Sequence, residues 1–264
     1  IAGIITPMVG VLNAWTAILV FLCVVMTALG IYHYFILPTD GKHNDDKKSA
    51  SETLKELWDV LKEFVQKAHI IYYILFIIIY RLAEGFVMKV VPLFLHDPVS
   101  QGGLGLSNEQ IGTYYGTFGA AAFVVGSILG GNVIARFGLK RVLFVLALIF
   151  NLPFLVYTFL AIYQPSSLWL IGGGIVIEYF GYGFGFVGLT MFMMHQIAPG
   201  KNQMSHYAIA SGIMNLSVMV TGMSSGKLTT LLGYEGFFLF VLIFIIPALL
   251  ITWFVPFTYP DKKQ

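Results

Sequence analysis

The sequence predicts an all-α integral membrane protein, a polytopic helical bundle of about seven transmembrane helices, on three observations. Of its 264 residues, 58% are hydrophobic and 11% charged. That is about half the charged share of a soluble domain, and a soluble chain of this length could not hide so much apolar surface. Seven apolar segments are each long enough to cross a hydrocarbon core, which takes about 20 residues. They are too long, and alternate too little, for barrel strands. Finally, Lys and Arg gather in every second connection between them. The net charge of +2 decides nothing by itself. The single Cys23 lies in an apolar stretch, so it reads as a packing residue and an internal disulfide is excluded.

The segments fall at about 11–37, 70–95, 111–134, 142–163, 168–197, 207–231 and 237–257. Between the first and second lie Lys42, Lys47, Lys48, Lys55, Lys62 and Lys67. Arg136, Lys140 and Arg141 join the third to the fourth, Lys201 joins the fifth to the sixth, and Lys262 and Lys263 follow the last. The connections around 96–109, 164–167 and 233–236 contain neither residue. The positive-inside rule then places the C-terminus in the cytoplasm and the N-terminus outside. In domain terms the chain divides into 1–38, a transmembrane helix with a preceding segment; 39–69, a cytoplasmic loop; 70–257, a six-helix domain; and 258–264, a cytoplasmic tail.

Within the loop, 39–50 is polar. Ser49 and Glu52 then have capping-box spacing. After them Leu54, Leu57, Trp58, Leu61, Phe64 and Val65 recur at helical spacing, with charges between. An amphipathic helix over about 51–66, a linker packed on the cytoplasmic face of the bundle, is expected.

The second segment carries Arg81 and Glu84 near its centre and Lys89 one to two turns later. A charge at mid-bilayer costs roughly 2.5–3.5 kcal/mol on the insertion scale. Such groups face a protein interior or a water-filled cavity, so this span is expected to line a polar path. Glu178 lies at a similar depth in the fifth segment. Arg81 and Glu84, three residues apart, share a helix face, and Arg81 has either acid as a possible partner. An ion pair that merely holds two helices together is the structural alternative. Lys89, nearer the outer end, is also placed to snorkel outward. Tyr179, Tyr182 and Phe184 flank Glu178 and could stack on a sugar ring.

Small residues mark two corresponding turns. Gly131 to Gly138 closes the third segment and Gly226 to Gly233 closes the sixth. In each the glycines are seven apart, but the first turn is basic and the second carries Glu235. Similar local sequence in opposite orientation predicts two three-helix units of inverted topology. The pairs Gly112/Gly116, Gly126/Gly130, Gly181/Gly185 and Gly222/Gly226 read as close-packing surfaces.

The first of these turns carries a resemblance. Gly131, Arg136, Gly138, Lys140 and Arg141 fall where the cytoplasmic signature loop of the major facilitator superfamily has its glycines and basic residues, with Ala135 in place of the expected acid. Tyr80-Arg81-Leu82-Ala83-Glu84-Gly85 resembles the start of the seventh helix of AmpG-type muropeptide permeases. Glu178-Tyr179 with Gly181, Gly183 and Gly185 is similar to the tenth-helix pattern of that group. Tyr207-Ala208 with Ser211, and Gly233-Tyr234 before Phe237, fit its last two helices. The likeness implies the C-terminal half of a twelve-helix transporter, with 11–38 as the sixth helix of the full fold. A start at Ile1 rather than at Met fits a piece of a longer protein.

What the resemblance implies is a secondary active transporter, proton-coupled, moving a sugar- or muropeptide-like solute across the bacterial inner membrane by alternating access. Its expected partners are membrane lipid, the missing N-terminal half and a small-molecule solute. Arg81, Glu84, Glu178, Lys89 and Tyr182 would form the substrate and proton pathway. A seven-helix receptor or signalling protein is the competing class. The sequence has no basic block suited to nucleic acid, no metal-ligand spacing, no cofactor signature and no nucleophile–base set, so an enzyme is not expected.

Overall fold

The structure, a computed structural model, describes residues 10–37 and 49–260. All regular elements among the described residues are helical. Six continuous helical stretches are long and apolar enough to cross a membrane: Leu12–Ile36, Ile70–His96, Asn108–Phe137, Leu139–Tyr163, Leu168–Ile197 and Gln203–Trp253. The last has 51 residues, about 76 Å of helix at 1.5 Å per residue against a hydrocarbon core of about 30 Å. It is two passes. Gly233 breaks it with φ 66° and ψ 175°, a backbone region open only to glycine, and the contacts reverse there. Ser217 bonds to Ile78 and Thr221 packs at Gly85. Tyr234 reaches Asp97 at the far end of the second span, and Phe240 and Tyr72 mark the way back along it, through Phe86 and the Ile251 carbonyl. Residues 203–232 therefore run parallel to the second span, and residues 234–257 return antiparallel to it.

The same test orders the other spans. Residues Gly119, Gly126 and Gly130 of the third meet Tyr179, Phe180 and Phe184 of the fifth in ascending order, so these two spans are parallel. The fourth crosses them in reverse, with Leu146 and Phe150 at Gly185 and Pro153 at Gly181. The second span thus pairs closely with the sixth and the third with the fifth, each pair parallel. Contacts of Lys67 with the 197–199 carbonyls and of Gln196 with Tyr259 gather the basic connections at one end.

The two turns matched in the sequence share a backbone. Gly138 has φ 82° and ψ 143°, close to Gly233, and a Cβ at either Gly131 or Gly226 would meet nothing within 4 Å. The glycine pairs divide. A Cβ at Gly126, Gly130, Gly181 or Gly185 would collide with backbone of the neighbouring span, as a close-packing surface requires. Gly112, Gly116 and Gly226 instead face open space, so their reading as packing surfaces fails, and Gly222 packs on a side chain, that of Lys89.

Individual spans are less regular than their hydropathy suggests. The second is two helices, Ile70–Tyr80 and Leu82–His96, interrupted at Arg81. The fourth is interrupted before Pro153, giving Leu139–Asn151 and Phe154–Tyr163, because proline lacks the N–H that would continue the ladder. The third opens with a capping box, Ser107 and Gln110, and widens to a π-helix over Gly112–Phe118. The second and fifth spans are better buried than the neighbouring third span and the 203–253 stretch, which leave much apolar surface exposed. The first span is exposed along nearly its whole length.

The cytoplasmic-loop helix spans Ala50–Val65, with the Ser49 amide donating to the Glu52 carboxylate at 2.9 Å. Only its C-terminal end is docked. Phe64 is buried against the His206 ring, Asn202 donates to Glu63 at 2.7 Å, and Lys67 donates to the Ile197 carbonyl at 2.7 Å. Burial lowers the Lys67 ammonium below the usual lysine value, and Glu63 opposes the shift. Leu54, Leu57, Trp58 and Val65 stay exposed, so the helix is fastened at one end rather than packed along its apolar stripe. The polar stretch 39–48, the tail 261–264 and most of the segment preceding the first span lie outside the described residues.

Candidate functional site

Arg81 lies about 17 Å along the second span from Ile70, and Glu178 about 15 Å along the oppositely directed fifth span from Leu168. Both therefore reach the middle of a bilayer about 30 Å thick, where transporter sites form. The structure brings four of the five expected pathway residues together there. Arg81 and Glu84 form a two-pronged ion pair. The Nε donates to one carboxylate oxygen at 2.5 Å and an Nη2 donates to the other. Both residues are buried, and two parallel N–H bonds are the strongest geometry such a pair can adopt. The guanidinium lies over the Phe186 ring, 5.1 Å from its centroid, with the Tyr182 hydroxyl 3.5 Å away. The helix break at Arg81 sits beside its own ion pair.

Glu178 is not the partner of Arg81 in this conformation. Its carboxylate accepts a hydrogen bond from Tyr157 at 3.0 Å, and no cation pairs with it among the described residues. Tyr157 was missed by the sequence reading. It lies on the fourth span, buried and stacked on Phe238, and nothing in the pattern of an apolar helix distinguishes it from a core tyrosine. Glu84, Glu178, Tyr115, Tyr157, Tyr179 and Tyr182 share the wall of a cavity of about 50 Å³. Tyr115 enters from the π-helical part of the third span and meets Tyr179 edge-on at 4.9 Å. This volume admits a water molecule or two but not a sugar ring, so Tyr179 and Tyr182 have no room to stack on one here. Phe184, the third aromatic residue named for that role, packs instead against Phe180 and under Gly126 and Gly130 of the third span.

Lys89 stands apart. It is exposed and lines a second, larger cavity of about 780 Å³ between the second and sixth spans. The signature-loop residues are elsewhere again, at the basic end. Gly138 forms the one-residue link between Gly119–Phe137 and Leu139–Asn151. Arg136 lies over the Phe137 ring at 5.6 Å, and Arg136, Lys140 and Arg141 are exposed.

The structure is thus a bundle of apolar, membrane-length helices with a buried ion pair near its mid-depth. The model of the Major Facilitator Superfamily matches residues 1–193 and, overlapping, 73–264; the chain belongs to that superfamily. It is similar to "Putative transporter AmpG 1" of Rickettsia conorii, 25% identical over 251 residues, which cover 88% of this chain and 55% of the relative. "Putative transporter AmpG 4" of the same organism is 24% identical over 233 residues, 87% of this chain and 54% of the relative. An uncharacterized protein of Haemophilus influenzae is 24% identical over 259 residues, 94% of this chain and 59% of the relative. The chain thus spans a little over half the length of these relatives. Membership of the family sets the receptor reading aside.

Proposed function

We propose that this chain is the C-terminal half of a proton-coupled secondary transporter, which moves a sugar- or muropeptide-like solute across a bacterial inner membrane by alternating access. One observation carries the proposal. Two acids lie within one small buried cavity, one paired to Arg81 and the other to a tyrosine alone. An ionised carboxylate in such a site is costly unless paired, and a cation that exchanges partners makes that cost depend on conformation. The supporting likeness is to relatives named as AmpG transporters. Arg136, Lys140 and Arg141 would hold the Gly138 turn at the inner surface, as basic residues do beside anionic lipid.

Two measurements test the reading. In proteoliposomes, the full-length protein should accumulate a labelled muropeptide or amino sugar when an inward proton gradient is imposed, and lose the accumulation when the gradient is collapsed. Indifference to the gradient with every solute tried would reject proton coupling. Orientation is tested by cysteine labelling in cells. With Cys23 replaced by Ser, Ser166→Cys should react with a membrane-impermeant reagent from outside, and Lys140→Cys only after permeabilisation. The reverse pattern would invert the assigned topology.

A further inference from the structure

The cavity between the second and sixth spans has a chemistry of its own. Its volume of about 780 Å³ lies in the range of small-molecule pockets. It shares no lining residue with the carboxylate cavity. Lys89 supplies its positive charge, and Leu93, Met219 and Met223 its apolar wall, while Thr230 and Tyr234 stand toward the outer end. Lys89 makes no ion pair or hydrogen bond among the described residues. Its stem lies on the sixth span because position 222 is glycine. A Cβ there would come within 3.1 Å of the Lys89 Cγ, so a larger residue would push the stem aside.

The acids nearby do not neutralise Lys89. Asp97, the one carboxylate on the wall, is eight residues further along the second span, about 12 Å at helical rise and beyond the screening length of roughly 8–10 Å. Its carboxylate already accepts from the Tyr234 hydroxyl at 2.5 Å. Glu84, on the same span, is engaged by Arg81. Lys89 is thus the one cation among the residues that line the groove.

We propose that this groove is an anion-binding site, in which Lys89 holds the phosphate or carboxylate of a small molecule whose apolar part lies along Leu93 and Met223. The proposal is independent of proton coupling, and its test reads binding rather than transport. Thermal unfolding of the detergent-purified full-length protein is followed with sodium phosphate, sodium acetate or phosphatidylglycerol. Sodium chloride at matched ionic strength and phosphatidylcholine serve as references. At least one anionic probe should raise the Tm above its reference. Lys89→Gln should weaken that effect about tenfold, the loss of one charge-assisted contact, and Lys89→Arg should retain it. A response to phosphate or acetate alone assigns the site to a soluble anion, and a response to phosphatidylglycerol alone assigns it to a lipid headgroup. If no anionic probe exceeds its reference, or if Lys89→Gln responds like the parent protein, the groove does not bind anions through Lys89 and the proposal is overturned.

Discussion

Glu178→Gln in the full-length transporter is expected to abolish proton-driven accumulation while leaving solute exchange measurable. The amide keeps the shape of the carboxylate and still accepts the Tyr157 hydrogen bond, so packing changes little. What it loses is the ability to carry a charge in one state and a proton in the other. Glu84→Gln should show the same loss with a second cost. It leaves the Arg81 guanidinium buried without its anion, and breaking a buried pair costs about 3–5 kcal/mol, so less folded protein is also expected. Arg81→Ala should damage both accumulation and exchange, because it strands Glu84 in turn. The measurement is uptake against a concentration gradient with an imposed pH step, set beside exchange at uniform pH. If both Gln variants concentrate solute at the parental rate, the carboxylates are structural and the coupling scheme is wrong.

The geometry suggests how conformation would enter that scheme. Arg81 sits where the second span changes from one helix to another, so the two segments can turn relative to each other without breaking a continuous ladder. Tyr182, on the Glu178 helix, already lies 3.5 Å from the guanidinium and lines the cavity that the two acids share. A small rotation at the break would move Arg81 from the Glu84 side toward Tyr182 and Glu178. Whichever acid is left without the cation gains most from a proton. Two states of one ion pair would then carry the coupling.

Much of the fold was legible because a bilayer enforces long apolar segments and sorts charge by side. The spans, the turns at Gly138 and Gly233, and the matching depths of Arg81, Glu84 and Glu178 follow from rules that act along one helix at a time; that these three side chains share one pathway was implied by the family resemblance. Depth along a span is simple arithmetic, which is why residues 81 and 178 could be matched. Direction around the helix axis is set by neighbours, and a uniformly apolar helix carries no stripe to reveal it. Lys89 was therefore grouped with the central charges, although it lies on the sixth-span side. Tyr157 was lost among core aromatics for the same reason. The loop helix misled in another way. Its periodicity was read correctly, but amphipathicity states that an apolar face exists, not that this part of the chain covers it.

The third and fifth spans are held at backbone contact by glycine, and Gly183→Val is expected to be among the most damaging single substitutions in the protein. A Cβ at position 183 would stand 2.1 Å from the Phe123 carbonyl oxygen, and one at Gly126 would stand 2.3 Å from that of Phe180. The obstructing atoms are main chain, so no rotamer change relieves them and the helices must separate. Separation also breaks the Ser127 hydroxyl contact to the Gly183 carbonyl at 3.2 Å. Overpacking a core costs roughly 1–3 kcal/mol and occasionally more, and an unyielding backbone places Gly183→Val at about 3 kcal/mol or above. Gly126→Ala should fall somewhat below it. Gly131→Ala and Gly212→Ala provide the contrast, because a Cβ at either position meets nothing within 4 Å. There the helix preference of alanine, about 0.5–1 kcal/mol over glycine, acts alone, and stability should hold or rise. The comparison is made on detergent-purified full-length protein by thermal unfolding, with the monodisperse fraction on size exclusion as a second reading. Equal stability of Gly183→Val and Gly131→Ala would show that the two spans do not approach this closely. The ordering predicted here would place the packing of the Glu178 helix, and with it the carboxylate cavity, on those glycines.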